Sequence, residues 1–391
     1  MITFKSYMRT VLLLAVAFNS LVVMAQNGTP GLIGQDSTSR VITTGVPFLS
    51  ITPDARAAGM GDVGVATSAD AASAFWNAGK LAFIENDKGI SMSYTPWLAK
   101  IINDMYLFNI GGFYKINREQ TVGVSMKYFD LGEVTFTSGN NTIIGEYNPR
   151  EFAIDATYSR MLTENLSVGT TLRYIHSNLT GSLITNNQES RPGKSVAADL
   201  GVYYQKPFES RNATLTMGAT ITNLGAKISY SDGINKDFLP TNLRVGAAYK
   251  IEVNPLNSFA FAMDLNKLMV PSPGPEARSK SMLSGVFGSF SDARGGIKEE
   301  IHEVIMAFGA EYWYNKLFAL RMGYFNEAKD KGYRKYATGG VGFRHNRFGI
   351  DVAYMVPMNK RENALAETVR FTLHFVTDTR YREEESVTDP N

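Results

Sequence analysis

Lys88-Gly89-Ile90-Ser91-Met92-Ser93-Tyr94-Thr95-Pro96 puts its large apolar side chains on one parity and its hydroxyls on the other. In an extended strand, side chains alternate between faces, so this spacing sets one face in an apolar medium and the other in a polar one. A tilted strand of about 9 to 11 residues also crosses a bilayer. The stretch therefore reads as one membrane-spanning strand.

The arrangement recurs along the chain. Val122, Val124, Met126 and Tyr128 oppose Ser125 and Lys127; Phe152, Ile154 and Tyr158 oppose Asp155 and Thr157; Val196, Leu200, Val202 and Tyr204 oppose Asp199 and Gln205. Phe259, Phe261, Met263 and Leu265 oppose Asp264 and Asn266, and the last stretch sets Val369, Phe371, Leu373 and Phe375 against Arg370, Thr372 and His374. Fourteen such stretches follow Lys88. Their charged residues keep to one parity: Asp155, Asp199, Asp264, Glu311 and Asp351 match Arg173, Arg244, Arg321, Arg344 and Arg370 in number. A soluble sandwich also alternates, but its connections do not. Here short connections near 117–119, 162–164, 206–212, 252–257, 315–316 and 345–346 interleave with long ones, the rhythm of periplasmic turns and outer loops. Tyrosines near strand ends supply an interfacial girdle. The expected fold is an all-β, 14-stranded antiparallel transmembrane β-barrel.

Ahead of Lys88 the pattern differs. Residues 45–87 are rich in glycine and alanine and do not alternate, which marks an N-terminal plug. Lys5 and Arg9, the apolar run Val11 to Phe18 and the small-residue site before Gln26 read as a signal peptide over residues 1–25. The expected division is leader and plug at 26–87, barrel at 88–378 and a charged periplasmic tail at 379–391, with both termini periplasmic and the protein in the bacterial outer membrane. The chain has no cysteine, which excludes a lipoprotein anchor and thiolate metal sites.

Enzyme motifs fail one by one. Gly59, Gly61 and Gly64 spell G-x-G-x-x-G but open no βαβ unit, so close turns in a plug explain them better than a nucleotide does. His176, His302, His345 and His374 lack metal-ligand spacing, and there is no G-x-S-x-G elbow. A net charge of +2 decides nothing about partners, but Lys and Arg dispersed over turns, loops and alternate strand positions argue against nucleic acid. No enzyme, cofactor or metal is expected.

The longest outer connection, near 267–301, departs from passive loop composition. Leu268, Met269, Val270, Met282, Leu283, Val286, Phe287 and Phe290 stand there among Pro and Gly. So many apolar residues need cover, either by folding over the barrel mouth or by docking on another protein. The next loop is basic, through Lys329, Lys331, Arg334 and Lys335, which suits lipopolysaccharide phosphates, an acidic partner or plain solvation.

Two stretches of the plug carry a family likeness: Asp54-Ala55-Arg56-Ala57-Ala58-Gly59-Met60-Gly61-Asp62-Val63-Gly64-Val65-Ala66, and Ser73-Ala74-Phe75-Trp76-Asn77-Ala78-Gly79-Lys80-Leu81-Ala82. They resemble the PorV (LptO) family of type IX secretion system outer-membrane components. The second stretch is also similar to the N-P-A hatch motif of the wider FadL-like superfamily, with Ala78 where proline is usual, and makes Phe75, Trp76 and Asn77 the plug motif. The resemblance implies a fourteen-stranded barrel that binds the C-terminal signal domains of secreted cargo and shuttles them from the translocon to the surface attachment complex. It implies as partners a SprA/Sov-like translocon barrel, a PorU-like attachment protease with its companion subunits, the cargo signal domains, and outer-membrane lipid and lipopolysaccharide. The alternative is a FadL-like channel for hydrophobic small molecules, which requires an apolar pocket between plug and wall.

Overall fold

The computed structural model describes residues 40–98, 104–137, 143–179, 181, 184–185, 188–231, 236–273, 277–359 and 368–377. The expected signal peptide, most of the leader and the C-terminal tail lie outside these residues. Fourteen antiparallel strands form a closed barrel in sequence order. They are β1 (Lys88–Pro96), β2 (Tyr106–Lys115), β3 (Gln120–Asp130), β4 (Arg150–Met161), β5 (Leu166–Asn178), β6 (Gly193–Phe208) and β7 (Ala213–Gly225). The second half continues with β8 (Asn242–Asn254), β9 (Asn257–Leu268), β10 (Val304–Tyr314), β11 (Phe318–Asn326), β12 (Lys335–His345), β13 (Phe348–Pro357) and β14 (Val369–Thr377). The closure joins β1 to β14 in a register that runs from Lys88↔Thr377 to Tyr94↔Phe371. Closure pairs every strand edge, the condition for a sheet in hydrocarbon.

Burial is inverted relative to a soluble protein. In β1, Ile90, Met92 and Tyr94 are each more than 40% exposed, while Ser91, Ser93 and Thr95 are at most 3% exposed. The apolar side chains face outward and the hydroxyls face a filled lumen. At one end the strands are joined by tight turns in which Asn212, Asn315 and Asn346 adopt the left-handed conformation, which asparagine tolerates. The long connections gather at the other end. Two of them carry short hairpins outside the barrel, Val134–Thr137 with Ile143–Tyr147 and Ile184–Thr185 with Gln188–Glu189.

The inward charges do not pair off one to one. Arg173 on β5 bonds Asp155 on β4 at 2.8 Å and Asp199 on β6 at 3.1 Å. Arg321 on β11 bonds Glu311 at 2.7 Å and Asp351 at 2.8 Å, and Arg344 adds a second cation to Asp351 at 2.6 Å. The remaining wall charges turn to the plug. Asp264 accepts the backbone N–H groups of Gly64 (2.8 Å) and Val65 (3.0 Å), and Arg370 pairs with Asp62 at 3.2 Å.

The plug runs through the lumen from the long-loop end to the short-turn end. Arg40 meets Glu299 and Asp330 beside the long loops, and the chain leaves the lumen at Lys88, where β1 begins at the short turns. The periplasmic placement of the N-terminus falls on residues before the described set, whose first member lies at the long-loop mouth. A helix α1 (Ala55–Gly59) starts at Asp54, whose side chain accepts the Ala57 N–H. Its alanines let the helix press against Ala353 of the wall. A second short helix, α2 (Ser73–Trp76), leads into a 3-10 segment, Ala78–Phe83.

Candidate partner-binding surface

Three consecutive plug residues clamp the segment in place by different physics. The Phe75 ring lies under the Lys127 ammonium of β3, 3.9 Å from its centroid, and edge-on to Trp76. Trp76 donates its indole N–H to Asp54 at 2.7 Å and takes the Arg244 guanidinium of β8 over its ring at 5.0 Å. Asn77 donates to the carbonyls of Val65 (3.3 Å) and Val202 (2.9 Å), while its own oxygen accepts the Gly79 N–H. The motif thus joins plug to wall and offers no free functional group. Its glycine neighbours act in the same way: a side chain at Gly64 would collide with the Trp76 ring, and one at Gly323 of β11 with the backbone of Met60 and Gly61. The G-x-G-x-x-G letters therefore mark close approach of backbone to ring and wall.

Where the plug begins, an apolar site lies between its first residues and the surrounding barrel. Leu107, Phe129, Ile175, Ile228 and Leu239 line it, and the chain itself fills it with Val46, Phe48 and Leu49, of which Phe48 is fully buried. Val46 holds a φ of 47°, a strained position for a β-branched residue that starts the turn Pro47–Ser50. Lys127 donates to the Ile51 carbonyl at 2.8 Å and the Leu49 carbonyl at 3.2 Å, which fixes the segment to β3. Below the plug a cavity of about 540 Å³ opens toward the short turns, lined by Arg56, Asp70, Tyr203, Trp313, Arg344 and His374 among others.

The β9–β10 connection, residues 269–303, divides its apolar residues between two faces. Met269, Val270 and Val286 are buried, with Val286 beside Gly285, which packs on Phe238. Leu268 and Met282 are half-buried. Leu283 (56%), Phe287 (66%) and Phe290 (44%) are exposed on or just after the helix α3 (Met282–Gly288). A following helix, α4 (Ile297–His302), adds Ile297 at 80% and Ile301 at 64% exposure. Leu283 and Phe287, like Ile297 and Ile301, stand four residues apart and so share a helix face. The loop therefore covers itself with one part of its apolar residues and leaves the other part exposed.

A network of ion pairs holds this cap. Lys267 bonds Glu303 (2.5 Å) and Glu300 (2.9 Å), and Lys331 bonds Glu299 and Glu303, each at 2.8 Å. Arg40 adds a second cation to Glu299. Burial by itself would raise the Glu299 carboxyl, but hydrogen bonds from Lys331, the Gly295 N–H and Arg40 bring it down to about 2. Lys331, part of the basic run, is thus committed internally, as is Arg334, which pairs with Glu327 at 2.8 Å. Ile297 and Ile301 escaped the sequence reading because α4 reads as a charged stretch; their four-residue spacing opposite Glu299 was the available signal. Among the described residues no group of three or more His, Cys, Asp or Glu side chains could hold a metal ion.

Comparison with known proteins places these features. The model of a family described as type IX secretion system protein PorV matches residues 34–275. No curated protein matches the sequence. Among solved structures, the fold is similar to the toluene transporter TodX of Pseudomonas putida, at 12% identity and a TM-score of 0.51 over 83% of this chain and 98% of that one. A Pseudomonas aeruginosa FadL homologue (11% identity, TM-score 0.46, 87% and 99% coverage) and the Ralstonia pickettii toluene transporter TbuX (13%, 0.49, 83% and 98%) also match.

Proposed function

Because this outer-membrane barrel belongs to the family of the type IX secretion system protein PorV, we propose that it binds the C-terminal signal domain of secreted cargo and passes it from the translocon to the surface attachment complex. The long loops then face the cell exterior and the short turns the periplasm. The observation that carries the reading is the exposed apolar face of the β9–β10 cap, built from Leu283, Phe287, Phe290, Ile297 and Ile301. Water-exposed apolar groups of this size, held on two anchored helices, suit a protein interface: little ordering remains to be done on binding.

The channel alternative needs an apolar site open to solutes. The site exists at the start of the plug, yet the plug's own Phe48 and Leu49 fill it, so passage would require their withdrawal. Shuttling needs no open lumen, which favours the first reading.

The test is binding of an isolated cargo signal domain to the purified barrel carrying Leu283→Ser, Phe287→Ser and Ile301→Ser together. Loss of binding by about tenfold or more is expected, since truncating exposed anchors removes 1 kcal/mol or more of interface energy. Heat-modifiable gel migration would verify folding. Undiminished binding by the folded variant would rule out this face as the cargo site.

A further inference from the structure

The cap and the turn beside it sort their charges by sign. Among the described residues of 269–303 and 327–335, every acid has a basic partner. Asp292 holds Lys280 at 3.0 Å, Glu300 holds Lys267 at 2.9 Å and Glu327 holds Arg334 at 2.8 Å. Glu299 and Glu303 share Lys331, and Asp330 stands 3.2 Å from a ring nitrogen of His302. The bases outnumber these acids. Arg294, Lys298 and Lys329 are exposed, and none of the three has an ion pair or a side-chain hydrogen bond among the described residues.

The three stand around the bare apolar face. On α4 each residue turns by about 100°, so Lys298, three positions before Ile301, shares the flank of Ile301 while buried Glu299 is directed to Lys331 and Arg40. Arg294 lies three residues ahead of Ile297, in the turn that leads into the helix. Lys329 opens the 3-10 turn Lys329–Lys331, whose last residue bonds Glu299 and Glu303, so it borders the same helix. A surface that serves only solubility mixes both signs. Here the acids are consumed within the cap and the uncommitted charge that edges Ile297 and Ile301 is all positive.

We propose that the cargo signal domain meets the cap with an apolar patch edged by carboxylates, which Arg294, Lys298 and Lys329 attract and orient around Ile297 and Ile301. The inference rests on the cap being the cargo face and adds the sign of charge that the cargo carries there. An interface of this kind has an apolar centre and a charged rim, and the rim sets the encounter rate and rejects partners of like sign. A second copy of this chain would bring the same cations against themselves, so the rim also keeps caps apart.

Stopped-flow association of the isolated signal domain with the detergent-purified barrel, at about 50 and 300 mM salt, tests this. Salt should slow association with the native barrel by about tenfold. Arg294→Glu/Lys298→Glu/Lys329→Glu should slow it by about tenfold or more at low salt and remove most of the salt dependence, with dissociation little changed. The apolar variant Leu283→Ser/Phe287→Ser/Ile301→Ser should instead speed dissociation, and Arg118→Glu, at a short turn, should match the native barrel. A folded signal domain with its carboxylates amidated should associate with the native barrel as slowly as the unmodified domain does with the charge-reversed one. Native rates and an unchanged salt slope in the heat-modifiable charge-reversed variant, while the apolar variant still loses binding, would overturn the proposal and leave the cap reading standing. No binding of the signal domain to the native barrel would remove both. If the three cations govern retention of lipopolysaccharide vesicles and not association of the signal domain, their anion is a glycolipid and the proposal falls.

Discussion

The plug and the β9–β10 cap are both irregular segments laid on the same barrel, and they are fastened in different ways. The plug meets the wall backbone to backbone, where glycines allow it, and through buried groups such as Asp264 and Arg370. The cap is held mainly by side-chain charge pairs near the surface and keeps a row of large apolar residues bare. Contact that excludes water is hard to open without global cost, whereas an ion-paired cap can be adjusted locally. The difference sets a tightly fastened plug beneath a cap whose apolar side chains are left exposed.

The sharpest way to break that contrast is Trp76→Ala. It removes a buried ring, the indole bond to Asp54 and the stack under Arg244 together, and should destabilise the plug by about 3–5 kcal/mol. Limited proteolysis of the folded barrel would read this as new cleavage between residues 54 and 87. Continued protection there would mean that the wall contacts hold the plug without its clamp. Gly323→Ala probes the same region from the wall side. Its added methyl meets the backbone of Met60 and Gly61, so about 1–3 kcal/mol of loss is expected, seen as a lower thermal midpoint of the plug with strand content unchanged.

On the cap, Lys331→Met leaves Glu299 and Glu303 short of a cation in a mostly buried setting. A loss of about 3 kcal/mol is expected, confined to α4 and its neighbours. Hydrogen exchange should quicken in residues 297–303 and stay slow in the plug; equal changes in both would show that the two regions unfold as one. Acid acts on the same network more gently. The Glu299 carboxyl is depressed in the folded state to about 2, so its contribution is present above the unfolded value of about 4.3 and fades as pH falls through 2. Exchange protection of α4 should therefore decline between about pH 4 and pH 2, and Glu299→Gln should flatten that dependence. A profile unchanged by the substitution would move the acid sensitivity elsewhere.

The two regions also differed in how far the sequence exposed them. The strands were legible because membrane and lumen impose period two on every one of them, and Asp155, Arg173 and their kin fell inward as alternation requires. The plug was legible as a boundary only. Its contacts join residues far apart, as Arg56 to Glu311 across 255 positions, and no local pattern encodes which wall residue a glycine will meet. On the cap, composition marked Leu283, Phe287 and Phe290 but could not divide them from Met269, Val270 and Val286, because Val286 is set apart by the face of a seven-residue helix and Met269 and Val270 by their place just past the end of β9, where Met269 still bonds Thr241. The basic run misled for a related reason: the partners of Lys331 and Arg334 are Glu299, Glu303 and Glu327, and only folding brings most of them near.

The smallest expected effect is the most telling about function. Ile297 is 80% exposed and packs on little, so Ile297→Ser should change the stability of the barrel and of the cap by no more than about 0.5 kcal/mol. An apolar residue kept bare at no structural benefit invites either a partner or aggregation. If the residue serves a partner, the substitution should weaken cargo-domain binding by several-fold while the melting profile and α4 exchange stay level. If instead the cap loosens by more than 1 kcal/mol, Ile297 is part of the packing and the exposed face shrinks to Leu283, Phe287, Phe290 and Ile301. That outcome would move the contrast with the plug toward likeness, since both regions would then be held by apolar burial, and it would relocate the search for the cargo contact to α3.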